Sequence, residues 1–236
     1  MNSEQVWAIV PAAGIGSRML AERPKQYLHL DDKTVIEHTL QRLASHPKVM
    51  GIIVAIAEDD PYWPHLSLPL DCPIYPVTGG TERADSVFNA LQKLSTLSHK
   101  NPWVLVHDAA RPCLRHKDVD KMLAALIDHD VGGILGVSVN DTVKQVNTEY
   151  EITATVCRQG LWRASTPQMF RLQGLKSALQ NAKRQQLKVT DEASAIELAG
   201  LKPMMVEGHS DNIKITVPQD LALANLFIQL QHREAL

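Results

Sequence analysis

Val6-Trp7-Ala8-Ile9-Val10-Pro11-Ala12-Ala13-Gly14-Ile15-Gly16-Ser17-Arg18-Met19 decides the fold. Five apolar residues in a row, two of them valine and one isoleucine, read as a strand buried on both faces. The run then breaks into small residues, and small residues let backbone N–H groups approach a bound anion closely. A helix starting nearby would add its dipole. Strand followed by a tight small-residue turn is the opening of an α/β unit with a ligand at its C-terminal end.

The rest of the chain repeats that alternation. Residues 51–57, 103–107 and 132–139 are further near-continuous apolar runs. Between them, 33–45, 83–97 and 117–128 read as helices, the last with Val119, Met122, Leu123 and Leu126 on one face. Strands alternating with helices predict βαβ units and a mostly parallel sheet. With 236 residues and no repeat or linker, one Rossmann-like α/β domain over 1–236 is expected. Two closing helices are expected as well. Thr190 reads as the N-cap of one, ahead of Asp191 and Glu192. Thr216 to Gln219 reads as a capping box opening the other, through Leu230.

One stretch departs from the pattern. Thr142-Val143-Lys144-Gln145-Val146 and Ile152-Thr153-Ala154-Thr155-Val156 flank the polar turn 147–151. This predicts a β-hairpin, and a lone hairpin is marginal in water, so it must pack on something. Its own domain and a partner subunit are equally open from periodicity.

Apolar residues make up 44% of the chain and charged ones 21%, as in a folded globular protein. A net charge of −2 argues against broad nucleic-acid binding. Cys72, Cys113 and Cys157 are odd in number and far apart, which fits reduced thiols in a cytoplasmic protein rather than zinc or redox chemistry. The N-terminal residues have no basic segment leading into a long apolar one, so no signal peptide is expected, and no run is long enough to span a bilayer.

The chemistry-bearing residues sit after the strands. Arg18 and then Lys25, in Pro24-Lys25-Gln26, follow the first turn, and two cations there suit a triphosphate. A dinucleotide fingerprint needs a third glycine where Met19 stands, and the phosphate-loop motif GxxxxGK[ST] is absent. These features disfavour a dehydrogenase. Gly79-Gly80-Thr81-Glu82-Arg83-Ala84-Asp85-Ser86 follows the short strand IYPV. Alone it reads as an ordinary helix N-terminus with Arg83 and Asp85 solvated, although Ser86 is suited to a base edge. His107-Asp108-Ala109-Ala110-Arg111 ends the strand WVLV. An acid in such a place can hold Mg²⁺ between phosphate oxygens, and the two alanines leave room for a ligand. His107 itself reads as packed or hydrogen-bonded. Arg158, Thr166, Thr190 and Lys214 are individually structural but together suit a second phosphate.

With these blocks in order, residues 7 to about 217 resemble the 2-C-methyl-D-erythritol 4-phosphate cytidylyltransferases of the non-mevalonate isoprenoid pathway. The matching blocks are PAAGIGSRM with PKQYL, GGTERADSV, VLVHDAARP, TVCRQGLWRASTPQ, VTDEASAIE and GHSDNIKIT. The resemblance implies in-line attack of the acceptor phosphate on the α-phosphorus of CTP, with pyrophosphate leaving. It implies that Arg18 and Lys25 stabilise the transition state and that Asp108 holds Mg²⁺. It implies a CTP pocket of Pro11, Ala12, Ala13, Gly14, Gly16, Gly80, Arg83, Ser86 and Ala109. The acceptor site it implies comprises Asp108, Arg111, Thr142, Arg158, Thr166, Thr190 and Lys214, with Arg158 and Lys214 orienting the acceptor phosphate. Members are homodimers, which makes 139–157 an arm reaching over the other subunit. Cys157 and Thr81 stand where many relatives carry an acid. The alternative acceptor is another polyol phosphate such as ribitol 5-phosphate.

Overall fold

A computed structural model of the chain describes residues 5–14, 23–69, 71–98 and 100–234. The strands are β1 (Val6–Pro11), β2 (His29–Leu30), β3 (Lys33–Thr34), β4 (Val49–Ile56), β5 (Ile74–Thr78), β6 (Trp103–Val106), β7 (Gly132–Ser138), β8 (Val143–Val146), β9 (Ile152–Val156), β10 (Trp162–Arg171) and β11 (Met204–Glu207). The helices are α1 (Val35–Ala44), α2 (Arg83–Leu97), α3 (His116–Leu126), α4 (Leu172–Arg184), α5 (Glu192–Leu198) and α6 (Gln219–Glu234).

Seven strands form one sheet in the order β11-β7-β10-β6-β1-β4-β5. β1 runs parallel to β4 and β6, β4 to β5, and β7 to β11, while β10 lies antiparallel to both β6 and β7. The expected mostly parallel sheet is present, and β10 alone runs against it. Helices cover both faces, which explains the continuous apolar runs. In β1, Val6, Ala8 and Val10 pack with Ile36 and Leu40 of α1 and Met122 and Leu126 of α3. Trp7 and Ile9 point the other way, to Leu91 and Leu94 of α2, Leu175 and Leu179 of α4 and Ile196 of α5. The alternation of period two is therefore intact, but both faces are apolar. α6 packs at one side through Ala224 and Ile228, against Leu30, Val35, Cys113 and Ile215.

Two helix starts differ from expectation. Asp191, not Thr190, is the N-cap of α5: its side chain accepts from Ser194 N at 2.9 Å, and Ser194 Oγ accepts from Asp191 N at 3.2 Å. A carboxylate one residue nearer the helix can reach the free N–H groups that Thr190 cannot. Ahead of α6, Asp220 Oδ2 accepts from Thr216 N at 2.7 Å and Val217 N at 3.0 Å, while the Thr216 hydroxyl turns to Lys214 O. Asp220 thus takes the role expected of Gln219, and the helix continues past Leu230 to Glu234.

The hairpin forms where expected, β8 pairing with β9 from Val143↔Val156 to Val146↔Ile152. It is a separate two-stranded sheet, outside the central one. Val146, Tyr150 and Ile152 are exposed on it.

Candidate active site

β1 and β6 are neighbours, and the chain leaves β1 towards β4 on the opposite side. Their C-terminal ends therefore flank the point where strand order reverses, the place where ligands of such sheets bind. Three segments converge there. Pro11 ends β1 and residues 12–14 follow it, Gly79 and Gly80 follow β5, and His107 to Arg111 follow β6. Of these, Pro11 to Gly14, Gly80 and Asp108 to Ala110 line a cleft of about 240 Å³ together with Lys25, Gln26, Arg83, Ser86 and Lys214.

The cleft's backbone is pinned by its own side chains. Gln26 Nε2 donates to Ala12 O at 2.7 Å and to Gly14 O at 3.0 Å, tying the PKQ segment to the small-residue turn. Next to Gln26, Tyr27 is buried and donates to Asp60 at 2.7 Å. Lys25 Nζ donates to Ile215 O at 3.0 Å, which draws residues 213–216 to the same rim. Ser86 Oγ accepts from Gly80 N at 3.1 Å and faces Glu82 O at 3.3 Å. A Cβ on Gly79 would meet the Ala13 methyl, and one on Gly80 would meet the Asp85 side chain, so both glycines are required by close approach.

Asp108 is the electrostatic centre. Its carboxylate lies 2.9 Å from Lys214 Nζ, 3.2 Å from Arg83 Nε and 3.3 Å from Arg111 Nε. Burial by itself would raise its pKa. The positive charges of Arg83, Lys214 and Arg111 outweigh that and hold the carboxyl well below the usual carboxylate range. Arg83 extends the cluster, with two bonds of 2.6 and 3.0 Å to the buried Glu192 at the start of α5. Burial disfavours the Arg83 charge, but the two carboxylates hold it firmly protonated. Arg83 is thus a bridge between carboxylates rather than the solvated charge its sequence context implied. Asp85 caps α2 through Glu82 N and pairs with Lys183 at 2.6 Å.

A second cleft of about 160 Å³ opens on the other side of this cluster. Arg83, Asp108 and Lys214 line both clefts, and Arg111, Ser165, Thr166, Gln168, Thr190 and Asp191 complete the second. Gln168 organises it, donating to Asp191 Oδ2 at 2.8 Å and accepting from Ala193 N at 2.8 Å. Asn212 donates to Thr166 O at 2.8 Å, and its own carbonyl accepts from Arg111 at 2.7 Å. His107 is fully buried, bonded to Arg111 O and Thr166 Oγ1, and burial pushes its pKa down to about 4.

Pro11, Ala12, Ala13, Gly14, Lys25, Gly80, Arg83, Ser86, Asp108, Ala109 and Lys214 therefore come together in the first cleft. Arg111, Thr166 and Thr190 join Asp108 and Lys214 in the second. Arg18 and Gly16 lie outside the described residues. Thr142 and Arg158 are exposed beside the hairpin and line neither cleft; Arg158 donates to Asn140 O. Sequence reading did not single out Gln26, Gln168, Glu192 or Asn212 for the site. Glu192 alone carried a signal, read as a helix-dipole acid, although its position in the core demanded a cationic partner.

The model of the family described as IspD, 2-C-methyl-D-erythritol 4-phosphate cytidylyltransferase, matches residues 6–230. The chain belongs to this family. It is 52% identical over 229 residues to the 2-C-methyl-D-erythritol 4-phosphate cytidylyltransferase of Hahella chejuensis, covering 97% of this chain and 95% of that protein. A crystal structure of a 4-diphosphocytidyl-2C-methyl-D-erythritol synthase superposes with a TM-score of 0.82 at 34% identity, over 95% of this chain and 98% of the other. The Francisella tularensis 2-C-methyl-D-erythritol 4-phosphate cytidylyltransferase superposes at 0.81 with 38% identity, over 94% and 99%. As a member of the IspD family, the chain is a cytidylyltransferase.

Proposed function

We propose that this chain transfers CMP from CTP to 2-C-methyl-D-erythritol 4-phosphate, releasing pyrophosphate. The observation that carries this reading is the shared wall of Arg83, Asp108 and Lys214 between the two clefts. The first cleft, with its small-residue backbone, takes CTP. The second, with Arg111, Thr166, Thr190 and Lys214, takes the acceptor. An acceptor phosphate oxygen attacks the α-phosphorus in line, so the protein supplies no nucleophile. Its work is positioning and neutralising charge on the phosphoryl oxygens. Lys25, fixed at Ile215 O, and Arg18 serve that charge. Lys214 and Arg111 orient the acceptor phosphate.

The donor set suits Mg²⁺ in company with the nucleotide. Among the described residues no three His, Cys, Asp or Glu side chains gather to hold an ion. Mg²⁺ is commonly held by one or two carboxylates plus substrate phosphates, and Asp108 supplies one. Bound there, the ion would neutralise phosphate oxygens. Asp108 would then share its charge between the ion and its three cationic neighbours.

The exposed hairpin supports a homodimer in which Thr142 and Arg158 complete the partner's acceptor cleft, with 139–157 as the arm. No helix among the described residues is long and apolar enough to cross a membrane, and a cytoplasmic location fits the unpaired cysteines. The reading is tested by pyrophosphate release from each nucleoside triphosphate with methylerythritol phosphate or ribitol phosphate, with and without Mg²⁺. CTP with methylerythritol phosphate and Mg²⁺ is expected to be the fastest combination. Faster turnover of ribitol phosphate overturns the acceptor assignment.

A further inference from the structure

Thr166 Oγ1 sits in a closed chain of hydrogen bonds. It accepts from Asp108 N at 3.0 Å and lies 3.0 Å from His107 Nδ1. The other ring nitrogen, Nε2, lies 3.0 Å from Arg111 O. A carbonyl oxygen only accepts, so Nε2 must carry hydrogen. A neutral imidazole has a single N–H, which leaves Nδ1 bare. The Thr166 hydroxyl must then donate its proton to Nδ1. One oxygen lone pair is used by Asp108 N, and one remains. The His107 ring is fully buried, and its two nitrogens meet only uncharged partners, a carbonyl and a hydroxyl, so charging the ring there is unfavourable.

We propose that His107 is a positioning residue that fixes the polarity of Thr166, so that Thr166 presents the acceptor cleft with a lone pair only. It then selects an acceptor bearing an alcohol at that place. An alcohol can donate to Oγ1, whereas fluorine, a carbonyl or an ether oxygen cannot. This rests on the assignment of the second cleft to the acceptor. Selectivity follows because a site built to accept a hydrogen bond is left unpaired by an analogue lacking the donor.

The test uses the full-length enzyme. Acceptor analogues carry fluorine in place of each carbon-bound hydroxyl in turn. One analogue is expected to lose about tenfold or more in kcat/KM, as for a lost hydrogen bond at a buried group. That penalty is expected to shrink in Thr166→Val, which removes the oxygen. It is also expected to shrink in His107→Gln, whose amide keeps a donor towards Arg111 O but frees the Thr166 proton. Independently of activity, ¹⁵N NMR of histidine-labelled enzyme is expected to show His107 protonated at Nε2 and bare at Nδ1. A protonated Nδ1, or a fluorine penalty independent of both substitutions, overturns the inference. If Thr166→Val leaves KM and kcat for every acceptor unchanged, the cleft assignment itself fails.

Discussion

Lys214 Nζ lies 2.9 Å from Asp108 Oδ2, although the two residues come from opposite parts of the chain, one after β6 and the other between β11 and α6. The contact lies in the wall shared by the two clefts, which the proposed function assigns to nucleotide and acceptor. Asp108 keeps Arg83 and Arg111 if Lys214 is lost. Lys214→Ala is therefore expected to affect catalysis more than folding. By analogy with a lost electrostatic donor, kcat/KM for the acceptor should fall on the order of 10²-fold. The melting temperature should move by only a few degrees. Steady-state kinetics with varied acceptor, alongside thermal unfolding, checks both; a large stability loss with intact kinetics would contradict the assignment.

Glu192 presents the opposite case. Its carboxylate is 1% exposed and is bonded twice to Arg83. Glu192→Ala removes two charge-assisted bonds but leaves Arg83 paired with Asp108, so it is expected to cost about 1.5–3 kcal/mol in urea unfolding. Replacing both partners by apolar residues, as in Arg83→Met with Glu192→Leu, should recover much of that stability while activity remains lost. Equal destabilisation by the single and double variants would show that the ion pair itself stabilises the fold.

The uneven legibility of this site follows from the same contrast. The strand ends were readable because buried parallel strands are continuous apolar runs and small residues must follow where a ligand approaches. The helices expected over 83–97 and 117–128 form as α2 and α3, the second legible from the helical spacing of Val119, Met122, Leu123 and Leu126, although it spans His116–Leu126. β10 was not, because its STPQ stretch has neither the composition nor the alternation of an interior strand, yet it crosses the sheet between β6 and β7. Glu192 was visible only as a first-turn acid, since sequence does not reveal that Arg83 at the start of α2 meets it on the same face of the sheet. The cap of α5 was displaced by one residue for a local reason: Asp191 and Ser194 satisfy each other's backbone groups, and Thr190 is left outside the helix.

His107 gives the stability a definite pH dependence. Native His107 stays neutral down to about 4, whereas an unfolded histidine takes up its proton near 6.5. Between those values the unfolded chain binds more protons, so stability rises with pH across the window and falls as the solution is acidified through it. The contribution is about 3 kcal/mol, complete above the unfolded value. Asp108 acts in a lower window. Its depressed pKa stabilises the fold above the ordinary carboxylate value and is lost as pH falls further. Urea unfolding between pH 4 and 7 is expected to show the first slope, and His107→Gln should flatten it. An unchanged slope in that variant would assign the effect to other histidines, the half-buried His38 and the buried His46, whose pKa values burial also lowers.

Arg158 and Lys25 allow the hairpin to be tested without disturbing the fold. Arg158 is exposed beside the hairpin and lines neither cleft, while Lys25 lines the first cleft, proposed to take the nucleotide. If each active site combines one subunit's body with its partner's arm, the two residues serving one site belong to different chains. Arg158→Ala and Lys25→Ala are each expected to be nearly inactive as homodimers. Mixed under conditions that exchange subunits, they should form a heterodimer with one site that has lost both residues and one that retains both. Random pairing makes half the dimers mixed, so activity should recover to about a quarter of the wild-type value. If Arg158 acts within its own chain, every site in the mixture lacks one of the two residues, and activity stays at the level of the separate variants. Sedimentation before and after mixing establishes that dimers are present and that exchange has occurred, so an absence of recovery then counts against the arm reaching across.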